Sequence, residues 1–179
     1  MEKKREQKVV LIELLLGEIL YKGESIKSIG TSKFRNKFVA IIFQEYNFLN
    51  YMSGIENVIA AMEIKNIKSK NKKEKAFEIL ERVGIDREQA SKKVLKLSGG
   101  QQQRVAITRV LVSDSELIIA DEPTGNLDEK TSDEIIKIMK EIVDVDGKTV
   151  IMVTHNKAIA RKSDATYQLK NKKLLEYVK

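Results

Sequence analysis

The 179-residue chain contains no cysteine, one proline and one histidine. Without thiols there is neither a disulfide framework nor a thiolate metal centre, and a reducing compartment such as the cytoplasm is the default expectation. Long apolar runs are also missing. The longest, Val9 to Leu16, is eight residues interrupted by Glu13, whereas a bilayer-spanning helix needs about 20 apolar residues. That run follows a charged start, Met1 to Arg5, but no small-residue cleavage site follows it, so it does not read as an export signal. Aromatic residues are scarce at 6%, and none is interleaved with the basic stretch Lys68 to Lys75.

What is present is a globular composition, 42% hydrophobic and 33% charged, with enough apolar residues for the core of a single domain over residues 1–179. The net charge of +7 admits a nucleic acid, an anionic membrane surface or a lysine-rich solvated exterior. Most lysines lie in mixed-sign runs with no rings to stack bases, so a solvated face is expected and a nucleic-acid partner is not.

Apolar spacing sets out the elements. Gly17 to Glu24 reads as a short strand bounded by glycines, and Phe38 to Phe43 as a buried strand with Gln44 at its end. Ile55, Val58, Ile59 and Met62 recur at helical spacing from Ser53, and Ala76, Ile79, Leu80 and Val83 do so again before Gly84 closes that helix. A third helix opens at Ser98-Gly99-Gly100 and ends about Ser113. A buried strand, Leu117 to Ala120, then stops at Asp121-Glu122-Pro123. A long helix over about 129–143, a strand from Thr149 to Thr154 and a closing hairpin, Thr166 to Leu169 with Leu174 to Tyr177, complete the chain. Helices alternating with buried strands predict an α/β fold with a parallel sheet and a helical section at 53–96. Ligands of such sheets sit at the carboxyl ends of the strands, where Gln44, Asp121, Glu122 and His155 fall.

An acidic pair after an apolar strand is suited to nucleotide hydrolysis. Such chemistry needs one carboxylate to hold Mg²⁺, through water or directly, and its neighbour to polarise the attacking water, which the pair Asp121-Glu122 could provide. The same pair also caps strand ends in proteins with no such chemistry. In Leu97-Ser98-Gly99-Gly100-Gln101-Gln102-Gln103-Arg104, two glycines at a helix start let backbone amides approach a phosphate while the serine adds a donor. An ordinary serine cap would use Ser98 alike, but the eight-residue string is far more specific than a cap.

Together these stretches resemble the ATP-binding cassette of ABC transporters. Leu97 to Gln101 resembles the signature, Leu117 to Glu122 Walker B, Gly125-Asn126-Leu127-Asp128 the D-loop, His155 the switch histidine and Gln44 the Q-loop glutamine. The matches follow the family's order from about Gly17 onward. The wording Ala120 to Asp128, with Gln44-Glu45-Tyr46-Asn47, is similar to the macrolide, lipoprotein and antimicrobial-peptide exporter branch.

The resemblance implies a P-loop-NTPase-like α/β cassette with a helical subdomain at 53–96, and ATP and Mg²⁺ as cofactors. It further implies Asp121 and Gln44 on the metal, Glu122 as general base and His155 at the γ-phosphate. Ser98, Gly99, Gly100 and Gln101 would serve ATP held by an opposing subunit, with Asp128 at the dimer contact. The implied partners are a second ATP-binding subunit, identical or not, and a transmembrane permease that keeps the chain on the cytoplasmic face of the plasma membrane. ABC-type ATPases of DNA repair and chromosome organisation fit less well, because the interval from Gln44 to Ser98 holds no sustained heptad repeat.

The family's phosphate seat, G-x-x-x-x-G-K-[ST], is not found in the sequence. Gly147-Lys148-Thr149 has Ile142 at the first-glycine position and leads into a strand. Residues 1–16 read as a truncated or rearranged beginning, with an incomplete N-terminal lobe, exposed strand edges and reduced stability as the expected result. A homodimer of this chain is therefore expected to hydrolyse ATP poorly, while pairing with a complete subunit leaves one working site. The alternative is a catalytically silent or regulatory cassette, or a truncated gene product, that gives only the signature to a partner.

Overall fold

A computed structural model describes residues 14, 15, 18–171 and 173–176 of the chain. Its centre is a parallel sheet of β4 (Val39–Ile42), β5 (Leu117–Asp121) and β6 (Thr149–Val153), in that order. The register is in step across it: Ile42 lies beside Ala120, and Ala120 beside Met152.

Before this sheet come β1 (Leu14–Leu15), β2 (Glu18–Tyr21), β3 (Glu24–Ser25), α1 (Ile26–Ile29) and α2 (Thr31–Lys37). The single strand expected over Gly17 to Glu24 is instead a hairpin of β2 and β3, with Tyr21 opposite Glu24. Lys22 and Gly23 both take positive φ, 53° and 82°, the geometry of a tight two-residue turn that the glycine makes accessible. Gly17 itself lies outside the described residues. Phe38 also leaves its expected strand, since it ends α2 by donating its amide to the Phe34 carbonyl.

The helical section comprises α3 (Gly54–Ile64), α4 (Lys72–Arg82), α5 (Arg87–Ser91) and a 3-10 turn at Val94–Lys96, ahead of α6 (Gly99–Leu111). Local chemistry sets the helix starts. Ser53 with Glu56, Asp86 with Gln89 and Ser98 with Gln101 form reciprocal capping boxes, each satisfying two orphan amides. Gly84, at φ 81°, ends α4, and the Ile85 amide reaches back to the Leu80 carbonyl at 2.9 Å. Beyond β5 lie α7 (Glu129–Asp144), α8 (Lys157–Ala160), β7 (Tyr167–Lys170) and β8 (Lys173–Glu176). The last two pair as the expected hairpin; Lys172 and Tyr177 lie outside the described residues.

Alternation along the strands gives the sheet two faces. Ala40, Ile42, Ile118 and Ala120 join one continuous core with Val58, Met62, Leu80, Ile85, Val105, Ile107, Ile135 and Ile142. Each fully buried branched side chain there contributes about 1.5–3 kcal/mol. On the opposite face, Val39 and Leu117 are covered by Tyr21 and Phe34. Further along, that face opens to solvent: Ile41, Phe43, Ile151 and Val153 are 36 to 50% exposed.

Candidate functional site

The three parallel strands leave the sheet on one side and deliver their polar residues together. Gln44 follows β4 by two residues, Asp121 ends β5, Glu122 comes next, and His155 follows β6 by two. Asp121 sits beside Val153 in the register and has an exposed side chain, as does Gln44. Glu122 adopts φ 42°, unusual for a residue with a Cβ. Two backbone bonds hold it there: its amide donates to the Val153 carbonyl, and its carbonyl accepts from the Gly125 amide, both at 3.0 Å. The carboxylate is thereby turned so that Oε1 lies 2.7 Å from His155 Nε2. Gly125 makes room for it, because a Cβ at that position would lie 3.1 Å from Glu122 Oε2.

The second constellation is the start of α6. Ser98 Oγ accepts from the Gln101 amide at 3.3 Å, and Gln101 Oε1 accepts from the Ser98 amide at 2.9 Å. Gly99 and Gly100, first in the helix, carry amides with no carbonyl one turn back to receive them. The turn is backed by the beginning of α7: a Cβ on Gly99 would lie 3.3 Å from Leu127 Cδ2, and one on Gly100 only 2.5 Å from Thr131 Cγ2. Thr131 has little freedom to yield. Its amide and hydroxyl donate to the two Asp128 oxygens at 3.0 and 2.6 Å, and these bonds hold the Asp128 carboxyl below the usual carboxylate range.

Gly100→Ala is therefore expected to cost about 1–3 kcal/mol through overpacking against Thr131, and Thr131→Ser in the same chain should recover most of it. Urea denaturation of the single and double variants checks this. A Gly100→Ala chain as stable as the original would show that α6 and α7 slide apart easily.

All the residues singled out in the sequence are thus gathered into two groups. Gln44, Asp121, Glu122 and His155 stand at the strand exits; Ser98, Gly99, Gly100 and Gln101 meet the Asp128 turn. The residues that join them were not foreseen. Tyr46 OH donates to the Gly99 carbonyl at 3.4 Å, and Arg109 Nη1 donates to the Tyr46 carbonyl at 2.8 Å. The available signal was a cation, Arg109, set among the buried positions of a helix.

Among the described residues no set of three or more His, Asp or Glu side chains is placed to hold a metal ion. Asp121 and Gln44 offer hard oxygen donors suited to Mg²⁺, which commonly takes one or two protein ligands and completes its shell with water and phosphate oxygens. Also among the described residues, no helix is long and apolar enough to cross a membrane.

Gly147-Lys148-Thr149 forms the turn into β6, with Gly147 at φ 64°. Lys148 is occupied there, with Nζ 3.3 Å from Asp114 Oδ1 and 3.0 Å from the Ser115 carbonyl.

The family model described as ABC transporter matches residues 10–125. The chain is 52% identical to the uncharacterized ABC transporter ATP-binding protein YclH of Bacillus subtilis (strain 168), over 86% of this chain and 68% of that protein. It is 38% identical to the lipoprotein-releasing system ATP-binding protein LolD of Hyphomonas neptunium, over 83% of this chain and 65% of LolD. The chain thus spans about two thirds of the length of these relatives. Its fold is similar to that of the dimeric ATP-binding cassette MJ0796 bound to ADP and Pi, with a TM-score of 0.78 and 31% identity over 89% of this chain and 72% of that one.

Proposed function

The chain belongs to the ABC transporter family, as an ATP-binding protein related to the lipoprotein and macrolide exporter branch, and from that premise we propose that it is the ATP-binding subunit of an exporter, its 179 residues supplying the signature-bearing half of an ATP site. In this reading the chain pairs with a second cassette and docks on a transmembrane permease at the cytoplasmic face. Substrate export is driven by ATP seated on the second cassette and contacted by Ser98, Gly99, Gly100 and Gln101. Residues 1–179 are read as a single, partial cassette domain, with 53–96 as its helical subdomain.

The observation that carries the reading is the seating of the Ser98 turn. It is solvent-exposed, closed by its own capping box and braced from behind by Leu127 and Thr131. Such a turn is a fixed array of amide donors and needs no rearrangement to meet an anion. The strand-exit group supports the other half of the chemistry. Asp121 and Gln44 would supply oxygen ligands for Mg²⁺, Glu122 would accept a proton from water, and His155, hydrogen-bonded to Glu122, would serve the γ-phosphate. Bound Mg²⁺ neutralises phosphate charge.

The G-x-x-x-x-G-K-[ST] pattern is not in the sequence, and the Gly-Lys-Thr that is present commits its lysine to Asp114 and Ser115. In this reading the polypeptide alone is expected to bind nucleotide weakly.

The test is nucleotide binding and turnover by the purified chain, alone and mixed with a cassette of the same branch that carries the glycine-rich loop. The chain alone should stay at background, and the mixture should exceed the sum of its parts. Robust turnover by the chain alone that disappears in Glu122→Gln sinks the proposal. A mixture slower than the complete cassette by itself favours a regulatory role.

A further inference from the structure

The segment between Gln44 and Asn50 contains two consecutive residues in unfavourable backbone. Tyr46 and Asn47, neither of them glycine, stand consecutively in the left-handed region at φ 48° and 49°. Such a pair persists only where its surroundings over-determine it. One side chain takes hold of both: Arg109 Nη1, from α6, donates to the Tyr46 carbonyl at 2.8 Å and to the Asn47 carbonyl at 3.1 Å. Its guanidinium carbon also lies 5.4 Å from the Phe48 ring centre, and the Phe48 and Tyr46 rings lie 5.4 Å apart. Arg109 has no salt bridge among the described residues, and burial pulls its pKa down. A half-buried cation whose donors go to backbone carbonyls is expensive to keep unless those contacts matter.

The far end of the segment is fastened to α3. The Leu49 amide donates to Asn57 Oδ1 at 2.9 Å, and Asn57 Nδ2 donates to the Leu49 carbonyl at 3.2 Å and to the Ser53 carbonyl at 3.0 Å. Tyr46 closes the circuit, because its hydroxyl donates to the carbonyl of Gly99 in the first turn of α6. Gln44 and the Ser98 turn are thus joined by a chain of contacts running from the loop backbone through Arg109 and Tyr46.

We propose that Arg109 is a positioning residue that locks the Gln44-bearing loop to the Ser98-bearing helix, so that the two parts of the nucleotide machinery shift as one body. The functional meaning of this lock rests on the reading of Gln44 and Ser98 given above. The lock itself is a property of the chain without nucleotide, so it is tested without nucleotide.

Amide hydrogen exchange on the full 179-residue chain reads it directly. Arg109→Met keeps the stem and removes the donors. It is expected to speed exchange at Tyr46, Asn47, Gln101 and Gln102 by about tenfold or more, with the β5 amides within about twofold of the original. Arg109→Lys, which restores a donor, should bring the same amides back to within about threefold. Tyr46→Phe removes only the hydroxyl and should speed Gln101 and Gln102 while leaving the loop largely unchanged; this variant carries the test if Arg109→Met does not fold.

Exchange at Tyr46 and Asn47 that stays at the original rate in Arg109→Met, or rises no more than in β5, overturns the lock. So does an unaltered first turn of α6 in Tyr46→Phe, or a lysine variant no better than methionine. None of these results bears on whether the chain serves a partner's ATP, and a failure of partner-dependent turnover would leave the exchange pattern standing.

Discussion

In a mixed dimer with a complete cassette, Ser98→Arg in this chain is expected to cut ATP turnover about a hundredfold or more, in the range seen when a preorganised donor to a reacting anion is lost. Glu122→Gln in the same chain should leave turnover within about twofold. The asymmetry follows from what each residue serves. Ser98, which is exposed, opens α6, and in the proposed reading the bulk and charge of arginine would fill the space that a nucleotide on the partner must enter. In the proposed reading Glu122 would serve nucleotide held by its own chain, where the only Gly-Lys-Thr is folded into the turn before β6.

Loss of the serine cap also costs about 1 kcal/mol of helix stability, so Ser98→Asn, which retains a capping oxygen, is the control for folding. Steady-state ATPase rates on all three mixtures decide the matter. Collapse with Glu122→Gln and indifference to Ser98→Arg would reverse the assignment.

Ile118→Ala is expected to destabilise the chain by about 2–5 kcal/mol, the usual cost of emptying a site that cannot collapse. Ile118 is fully buried in the middle of β5, with β4 on one side and β6 on the other, and its side chain enters the core shared with α3 and α6. Hydrogen bonds on both flanks prevent the strand from moving in to fill the cavity. Against a total stability of about 5–15 kcal/mol for an ordinary domain, this is a large fraction. Guanidinium denaturation should show a lower midpoint at unchanged slope. Ile151→Ala, on the open side of the sheet at 36% exposure, should cost far less, and equal losses from the two variants would contradict the packing described.

Much of this architecture was legible before any coordinates, for reasons particular residues make clear. Ser98 announces a capped helix because a serine hydroxyl just before a helical run commonly accepts from a first-turn amide. Leu117 to Ala120 announces a doubly covered strand because four apolar residues in a row leave no face for water. The β2–β3 hairpin is not legible in this way because a glycine such as Gly23 marks the end of a strand as readily as a reversal inside one. Phe38 was misplaced because an aromatic beside Val39 fits strand and helix end equally well.

The candidate site was legible as two motifs but not as a connected object. Nothing in the spacing says that the Tyr46 hydroxyl meets the Gly99 carbonyl 53 residues away, or that Thr131 stands where a side chain on Gly100 would go. Such contacts arise from how helices pack on the sheet, and local propensity carries no record of them.

The open stretch of sheet formed by Ile41, Phe43, Ile151 and Val153 has a bearing on how the polypeptide behaves in a test tube. Water over that row gains freedom whenever another oily surface settles on it, a gain that fades on cooling. Salts excluded from protein surfaces, sulfate among them, sharpen the same tendency. Keeping these molecules apart from one another is thus a question of temperature and salt as much as of their shared positive charge.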